Sequence, residues 1–337
     1  MEDAIKNILN THPVIDIAAN RYGINREELS YLGGFQNFVY EYQQNDRSYI
    51  LRVTPDKHRS ANQVKAELDW IMYLARNGIS ASLPILSVNH AWAEVIETPE
   101  MSFIAVSFEK AQGHKIPYPE CLKDNAIYEQ LGQITGKMHA LSKLYNKQDT
   151  GILRHDWNLN YYLQNIDILP ASHDPVKKSY YSIIDTLKKL PMDKDAYGLI
   201  HGDMGFGNFH VSEQAGITLF DFDEAQYSWF VEDIAIQIYY LVYVYGGEEG
   251  KASREEQALR FMHYFMKGYI KENALDDYWL KQIPVFLKLR ELIVYIGAFR
   301  NFDGDETFST SDNQWFKDWI RESRDRLENN VPIVNVW

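Results

Sequence analysis

Glycine, carboxylate and amide side chains crowd into one short loop of this chain, and that loop restricts what the chain can fold into. Residues 199–211 read LIHGDMGFGNFHV, and the next apolar segment ends in FDFDEA at 220–225. Short apolar runs separated by a glycine-punctuated loop predict a strand, a loop and a second strand. The fold must therefore hold Asp203 and Asn208 together in a tight loop between two strands.

The end of the following strand carries further acidic side chains. Asp221 follows the apolar run ITLF, and Asp223 and Glu224 come directly after it. Each of these residues alone is typical of an ordinary turn. Three carboxylates beside the Asn208 amide repel one another unless a cation lies among them, and oxygen ligands of this kind suit Mg²⁺. The combination predicts a magnesium site.

Charge and composition argue against several functional classes. The 337 residues carry a net charge of −13 without a basic patch, which disfavours a nucleic-acid partner and suits a small cationic ligand. Cys121 is the only cysteine, so neither an internal disulfide nor a cysteine metal cage is expected. The N-terminus lacks a signal-peptide core, and the best apolar stretch, DIAIQIYYLVYVYGG, is too short to cross a bilayer. We therefore expect a cytoplasmic protein with no membrane partner.

The sequence changes character once along its length. Strand-like runs flank the turn NDR, an amphipathic helix with Ser60 as its N-cap ends near Gly78, and mainly helical segments follow residue 113. This order predicts an α+β protein with two lobes, which its length also favours. The N-lobe, residues 1–107, is small and β-rich with one helix, and the C-lobe, residues 108–337, is larger and mainly helical.

The loop and the acidic strand end together resemble a known family. HGDMGFGN followed by FDFD is similar to the phosphotransfer core of the aminoglycoside phosphotransferase and choline kinase family, a small-molecule branch of the protein-kinase-like fold. Asn208 lies five residues after Asp203, and Asp221 lies thirteen after Asn208, as in the family pattern. The resemblance implies a protein-kinase-like fold and a phosphotransferase that uses ATP and Mg²⁺.

The resemblance also implies roles for single residues. Asp203 is expected to accept or orient the proton of the acceptor hydroxyl. Asn208 and Asp221 are expected to hold Mg²⁺ on the nucleotide phosphates, with Asp223 as a further acidic residue of the metal site. Phosphoryl transfer depends on positioning and charge neutralisation more than on covalent chemistry, and these residue types supply both. Two residues are expected to support the loop, namely His201 and Asp233.

The nucleotide is expected to bind the N-lobe. The segment YLGGFQNFVYEY resembles the family's glycine-rich loop, in which Gly33 and Gly34 let backbone N–H groups approach phosphate and Asn37 follows. The segment SFIAVSFEKAQG is predicted to be the strand that leads into the hinge between the lobes. Backbone groups from Ser107 to Glu109 in that strand are expected to hydrogen-bond adenine.

One ion pair is predicted from the residues themselves. Arg52 lies on the predicted third strand, where protein kinases carry the lysine that contacts the α- and β-phosphates. In the helix that follows, Val64, Leu68 and Ile71 share an apolar face with Glu67. A carboxylate on a buried face requires a partner. We predict that Arg52 and Glu67 form this pair.

The sequence leaves the small-molecule hydroxyl acceptor open. Acceptors in the family include aminoglycosides, choline or ethanolamine, homoserine, methylthioribose, other sugars and a protein hydroxyl. Aromatic and acidic residues of the C-lobe are candidates for a cationic pocket, namely Tyr239, Tyr243, Trp315, Asp303 and Asp305. In the simpler interpretation, the tyrosines belong to the core and the acids to a solvated loop.

Two alternatives predict other functions. Asp221-Phe222-Asp223 is also a D-x-D sequence, which in a glycosyltransferase holds a divalent cation on a nucleotide sugar. That interpretation requires a large parallel sheet. The second alternative is a catalytically silent kinase-like protein that serves in binding or structure. It is disfavoured because Asp203, Asn208 and Asp221 are all present, and it predicts ATP binding without acceptor-dependent turnover.

Overall fold

The structure, a computed structural model, describes residues 2–34, 36–145, 153–214 and 216–337. The chain divides into two compact units. Unit 1 consists of Met1–His114, Asn146–Arg154 and His210–Asp223, and unit 2 of Lys115–Tyr145, His155–Phe209 and Glu224–Trp337. The predicted boundary after residue 107 is simpler than this division, because two later segments belong to unit 1. The assignment of nucleotide and acceptor binding to separate lobes stays a prediction.

Strands and helices of the described residues follow the predicted order. The strands are β1 (Ser30–Gly33), β2 (Phe38–Gln44), β3 (Arg47–Pro55), β4 (Pro84–Ile85), β5 (Glu94–Glu97), β6 (Ser102–Glu109), β7 (Tyr197–Ile200), β8 (Phe209–Ser212), β9 (Gly216–Leu219) and β10 (Gln226–Trp229). The helices are α1 (Glu2–Thr11), α2 (Val14–Arg21), α3 (Ala61–Arg76), α4 (Asn125–Ser142), α5 (Tyr161–Gln164), α6 (Asp174–Leu187), α7 (Phe230–Val242), α8 (Gly247–Tyr269), α9 (Asp277–Leu280), α10 (Ile283–Asn301) and α11 (Gln314–Glu328).

Unit 1 is built on an antiparallel sheet with the strand order β1-β2-β3-β6-β4, and β5 also pairs with β6. Asn45 and Asp46 have φ of 50° and 60°, which suits the two-residue turn that joins β2 to β3. This confirms the predicted hairpin. Leu51 and Val53 of β3 point into a core shared with α1 and α2. Side chains alternate along a strand, so Arg52 faces the opposite side, where it meets α3.

The helix predicted after Ser60 is α3. The Ser60 hydroxyl accepts a hydrogen bond from Gln63 N, and the Gln63 side chain accepts one from Ser60 N, so the two residues form a capping box. The helix ends at Arg76, just before Gly78, whose φ is +79°. These local signals place Glu67 on the buried face, where it is fully excluded from solvent.

Unit 2 is mainly helical. Glycines bring α4 and α8 close together, since a Cβ at Gly132 would lie 1.8 Å from the carbonyl oxygen of Phe265. Helices α7 and α10 are buried along most of their length and pack against each other. Strands β7 and β10 pair antiparallel, and the predicted catalytic loop begins where β7 ends, at His201. No helix within the described ranges is both long and apolar enough to cross a bilayer.

Candidate active site

Asp233 holds the glycine-punctuated loop that follows β7. Its carboxylate lies in the first turn of α7 and is fully buried. It accepts hydrogen bonds from the backbone N–H groups of His201 (3.0 Å) and Gly202 (2.9 Å) and faces Nε2 of His139 at 3.2 Å. Burial acts to raise the pKa of Asp233, but the bonds from His139 and His201 lower it below its ordinary value. These contacts are those expected of a residue that anchors the loop, and the supporting role of Asp233 stays a prediction.

A buried polar chain orients His139 behind Asp233. Nδ2 of Asn273 donates to the Tyr269 hydroxyl at 2.9 Å, and that hydroxyl lies 2.9 Å from Nδ1 of His139. The hydroxyl therefore has its own proton for Nδ1, which leaves the imidazole proton on Nε2, facing Asp233. Burial lowers the pKa of His139, which favours the neutral ring. The sequence did not indicate this support from α4 and α8.

Gly202 and His201 shape the start of the loop. Gly202 has φ of +79°, and a Cβ there would lie 2.1 Å from the carbonyl oxygen of Glu224. Both observations require glycine. His201 is fully buried, and its Nδ1 accepts the N–H of Asp203 at 3.3 Å. This contact agrees with the predicted bracing role of His201.

The carboxylate of Asp203 is held from two sides. Nδ2 of Asn208 donates to Oδ2 of Asp203 at 2.9 Å and to its backbone oxygen at 2.8 Å. On the other side, Oδ1 accepts from the Tyr240 hydroxyl at 3.0 Å and forms a direct ion pair with Nη2 of Arg290. Tyr240 comes from α7 and Arg290 from α10. The proposed catalytic carboxylate is thus fixed by one amide, one phenol and one guanidinium.

Arg290 and Tyr240 are residues that the sequence analysis missed. Burial acts to lower the pKa of Arg290, but Tyr240 and Asp203 raise it above its ordinary value, so Arg290 is charged. Burial raises the pKa of Tyr240, which stays neutral. The available signal was Arg290 itself, a charge within the apolar run VFLKLRELIVYIGAF. Like the buried carboxylate of Glu67, this buried guanidinium requires a partner of opposite charge.

The ion pair predicted in unit 1 is present. Nη1 and Nη2 of Arg52 donate to the two oxygens of Glu67 at 2.8 and 2.7 Å, a bidentate geometry. Arg52 is 5% exposed and Glu67 is fully buried, and the guanidinium lies 5.1 Å from the ring centre of Phe108. Burial acts to lower the pKa of Arg52, but Glu67 raises it, with smaller contributions from Asp223 and Asp221. Arg52 is therefore a fixed cation within reach of these two acids.

The glycine-rich segment has the backbone geometry that a close ligand contact requires. Gly33 and Gly34 have φ of +106° and +146°, and a Cβ at Gly34 would lie 1.9 Å from the carbonyl oxygen of Asn37. Among the described residues, no group bonds to the buried amide oxygen of Asn37. The register between β1 and β2 shifts between Tyr31 and Gly33, so the strand end bulges at this point.

The backbone groups predicted to bind adenine lie at the end of β6, and their role stays a prediction. Ser107 lies inside the sheet, paired with both β3 and β4, and its hydroxyl lies 2.8 Å from that of Tyr42. The N–H of Glu109 donates to the carbonyl oxygen of Leu83 at 2.8 Å. The expected donor at Glu109 is therefore already used, because β6 continues in the sheet to that residue. The N–H of Lys110 is used as well, since it donates to the carbonyl oxygen of Ser48 at 3.1 Å.

The two acids of the FDFD sequence differ in environment. Asp221 is exposed and has φ of +62°, which is strained for a residue other than glycine and is typical of functional sites. Asp223 is buried, and its Oδ2 lies 2.6 Å from Nε2 of His58, with Arg59 also beside it. Burial acts to raise the pKa of Asp223, but His58 and Arg59 hold it well below its ordinary range. Asp223 supports the turn, and its role as a metal ligand stays a prediction.

A small pocket lined by aromatic residues, two carboxylates and the guanidinium of Arg326 lies at the end of α7. Tyr243 and Trp315 meet edge to face with ring centres 5.5 Å apart, and Asp318 and Glu322 line the same pocket. Tyr243 also packs against Tyr240, which links the pocket to Asp203. The other candidate residues have different roles. Tyr239 lies wholly in the core, and Asp305 accepts bonds from Thr307 and Ser309 of its own turn.

The sequence of this chain is similar to those of a known protein family. The sequence model of the phosphotransferase enzyme family matches residues 29–268. The amicoumacin kinase of Bacillus subtilis (strain 168) is 34% identical over 336 residues, which cover 98% of this chain and 96% of that protein.

Solved structures of kinases are also similar to this chain. The amicoumacin kinase hAmiN, solved in complex with AMP-PNP, Ca²⁺ and Ami, has a TM-score of 0.88 at 32% identity, covering 100% of this chain and 98% of that one. A microcompartment-associated aminopropanol kinase has a TM-score of 0.73 at 18% identity, covering 94% and 96% of the two chains, and shares the fold alone.

These findings confirm the predicted α+β, protein-kinase-like fold. The glycosyltransferase alternative is wrong, because the chain matches another family and the sheet of unit 1 is antiparallel where a parallel one was required. The family match covers well over half of the chain. The chain belongs to the phosphotransferase enzyme family, and it is a small-molecule phosphotransferase.

Proposed function

We propose that this chain transfers the γ-phosphoryl group of ATP, with Mg²⁺, to a hydroxyl group of amicoumacin or a closely similar amine-bearing compound. One observation carries this proposal: the likeness to amicoumacin kinases runs over the whole chain, past residue 268, where the family match ends. The acceptor-binding helices are the part of this family that diverges most, so similarity there bears on the acceptor. An ATP-dependent kinase of this type is proposed to act in the cytoplasm.

The reaction assigns a clear task to Asp203. The acceptor hydroxyl oxygen forms a bond to the γ-phosphorus, and the bond from that phosphorus to the β–γ bridging oxygen breaks. ADP leaves with the electron pair, and the hydroxyl proton passes to the Asp203 carboxylate. The contacts from Asn208 and Arg290 keep that carboxylate in one orientation, and such positioning supplies much of the catalysis in phosphoryl transfer.

The residues present fit a divalent cation bound with the nucleotide. Asp221 offers an exposed carboxylate on a strained backbone. The Asn208 amide nitrogen donates twice to Asp203, which leaves the amide oxygen as the atom that would hold a cation. We propose these two residues as ligands, with Asp223 in support. When bound, Mg²⁺ neutralises charge on the nucleotide phosphates.

The nucleotide itself is assigned to unit 1. Arg52, fixed by Glu67, supplies the cation for the phosphates, in the place where protein kinases use lysine. Gly33 and Gly34 open the backbone for close approach to phosphate, and Asn37 lies beside them. The geometry of the glycines and the buried ion pair support this assignment.

The pocket at the end of α7 supports an amine-bearing acceptor. Tyr243 and Trp315 present aromatic surface, and Asp318 and Glu322 add two carboxylates. Each carboxylate also pairs with an arginine, since Asp318 lies 2.8 Å from Nη2 of Arg321 and Glu322 lies 3.6 Å from Nη1 of Arg326, which lines the pocket too. A ligand ammonium group is attracted both by aromatic faces and by acids. We propose that the amine of the acceptor binds here. Trp315→Ala is expected to raise KM for the acceptor about tenfold and to leave KM for ATP unchanged, while Trp92→Ala in unit 1 serves as the control.

The test measures ADP release from Mg-ATP with a panel of acceptors: amicoumacin, 1-aminopropan-2-ol, choline, homoserine, methylthioribose and an aminoglycoside. Release with amicoumacin, abolished in Asp203→Asn, and a product heavier by one phosphoryl group would support the proposal. Turnover of another acceptor alone would refute the proposed acceptor. ATP binding without turnover of any acceptor would favour the catalytically silent alternative.

A further inference from the structure

The ion pair between Arg290 and Asp203 makes the two oxygens of the Asp203 carboxylate different from each other. We propose that Arg290 and Tyr240 are positioning residues that occupy Oδ1 of Asp203 and so leave Oδ2 as the oxygen that receives the acceptor hydroxyl. This inference rests on the proposed function, because it concerns the same transfer. It differs in naming the carboxylate oxygen that takes part and the residues that select it.

The two oxygens of the Asp203 carboxylate differ in how many of their acceptor sites are occupied. Each carboxylate oxygen has two lone-pair positions for hydrogen bonds. At Oδ1, the Tyr240 hydroxyl at 3.0 Å and Nη2 of Arg290 fill both. At Oδ2, Nδ2 of Asn208 fills one, at 2.9 Å. Within the described part of the chain, one acceptor site of Asp203 therefore remains, and it is on Oδ2.

The guanidinium of Arg290 is held rigidly enough for this task. The residue is 6% exposed and comes from α10, which is buried along most of its length. Its Cζ lies 4.9 Å from the ring centre of Tyr240, so the guanidinium rests against the same phenol that shares Oδ1. Its Nη1 also contacts the carbonyl oxygen of Gly202 at 3.4 Å. Loop, helix and carboxylate are therefore linked through one side chain.

A direct contact of Arg290 with the transferred phosphoryl group is the rival explanation. An arginine that stabilises phosphoryl charge in the transition state needs N–H groups directed at the phosphate. In this structure Nη1 is directed at Gly202 and Nη2 at Asp203 and Tyr240. Both terminal nitrogens are engaged with the protein, which favours a positioning role.

Single-turnover phosphotransfer with Arg290→Gln, Asp203→Asn and the double variant tests the proposal. Arg290→Gln is expected to lower the rate about a hundredfold, because small misplacements of a reacting group have effects of this size. KM for Mg-ATP is expected to stay within about twofold. The double variant is expected to be no slower than Asp203→Asn alone, since residues that act as a unit are strongly non-additive.

Arg300→Gln is the matched control. Arg300 lies on the same helix, is 8% exposed, and donates to the Tyr161 hydroxyl while its Cζ lies 4.9 Å from that ring. It therefore resembles Arg290 in burial and contacts but lacks a catalytic partner. The rate of Arg300→Gln is expected within about twofold of the wild-type rate, on the usual scale for substitutions away from a site.

Two outcomes would overturn the inference. The first is an unchanged rate in Arg290→Gln, and the second is an additive loss in the double variant, which would mean that Arg290 acts independently of Asp203. Tyr240→Phe, which removes one donor to Oδ1, provides the same comparison if Arg290→Gln does not fold, with an expected loss of about tenfold. If the wild-type chain phosphorylates no acceptor in the panel, the proposed acceptor fails separately. The same variants are then compared by hydrolysis of ATP, with water as the acceptor.

Discussion

Glu67→Gln separates what the buried ion pair of unit 1 does for stability from what it does for function. The substitution keeps the size of the side chain and removes its charge. Arg52 then remains 5% exposed with one good acceptor instead of two. Its positive charge has lost the counterion bonded to it and keeps only the smaller attraction of Asp223 and Asp221. Breaking a buried pair from one side costs about 3–5 kcal/mol. Glutamine retains one acceptor oxygen, so we expect the lower end, about 3 kcal/mol.

Replacing both partners tests whether that loss comes from an uncompensated charge. Arg52→Met with Glu67→Leu removes the cation together with its counterion and fills the same space. Such replacements are often neutral or stabilising, so we expect the double variant within about 1 kcal/mol of the wild type. It should nevertheless bind Mg-AMP-PNP at least tenfold more weakly, because the cation for the phosphates is gone.

Hydrogen exchange of the amides in β3 and α3 gives the opening free energy of unit 1 directly, and calorimetric titration gives the nucleotide affinity. The matched control is Glu41→Gln, on β2 of the same sheet. Glu41 pairs with Lys110 at 2.6 Å, but the two side chains are 23% and 36% exposed, so its loss should cost about 1 kcal/mol or less. If Glu67→Gln costs no more than Glu41→Gln, the argument from burial is refuted.

Three further predictions concern the loop in unit 2. Asp203→Asn should lower turnover by about a hundredfold to ten-thousandfold with an unchanged circular dichroism spectrum, and full turnover would contradict the assigned chemistry. Gly202→Ala should destabilise unit 2 and abolish turnover, because its Cβ would lie 2.1 Å from the Glu224 carbonyl oxygen; wild-type-like thermal stability would refute the required close approach. The folded-state pKa values of His139 and Asp233 are both lowered, so their contribution is present at neutral pH and is lost as pH falls, first below the ordinary histidine pKa of 6.5. His139→Gln should therefore flatten the decline in unfolding free energy between about pH 6.5 and pH 5, and an equally steep decline in the variant would contradict this account.

Local signals explain why much of unit 1 was predictable. The turn at Asn45 and Asp46, the cap at Ser60 and the spacing around Glu67 each act within a few residues, and each element formed where its signal lies. The Arg52–Glu67 pair was predictable because strand and helix are neighbours in sequence, 15 residues apart, and a buried charge demands an opposite one.

The backbone contact of Glu109 could not be predicted from local sequence signals. The strand-like run SFIAVSFE predicted β6 correctly. That run did not show that the carbonyl oxygen of Leu83, in another segment, would accept the hydrogen bond from the N–H of Glu109. Pairing between strands far apart in sequence depends on the whole sheet, so the free backbone groups near a strand end are decided only in three dimensions.

The sequence by itself determined the spacing of Asp203, Asn208 and Asp221, and that spacing, typical of a phosphotransferase loop, predicts that these residues carry the chemistry. Only the tertiary structure decided how Asp203 is oriented, because its partners Tyr240 and Arg290 lie 37 and 87 residues away on two helices whose packing brings them together. A fixed spacing specifies contacts along a loop or a helix turn. Contacts between distant elements follow from the burial of whole helix faces, where a charged residue must find whatever partner the packed neighbour presents.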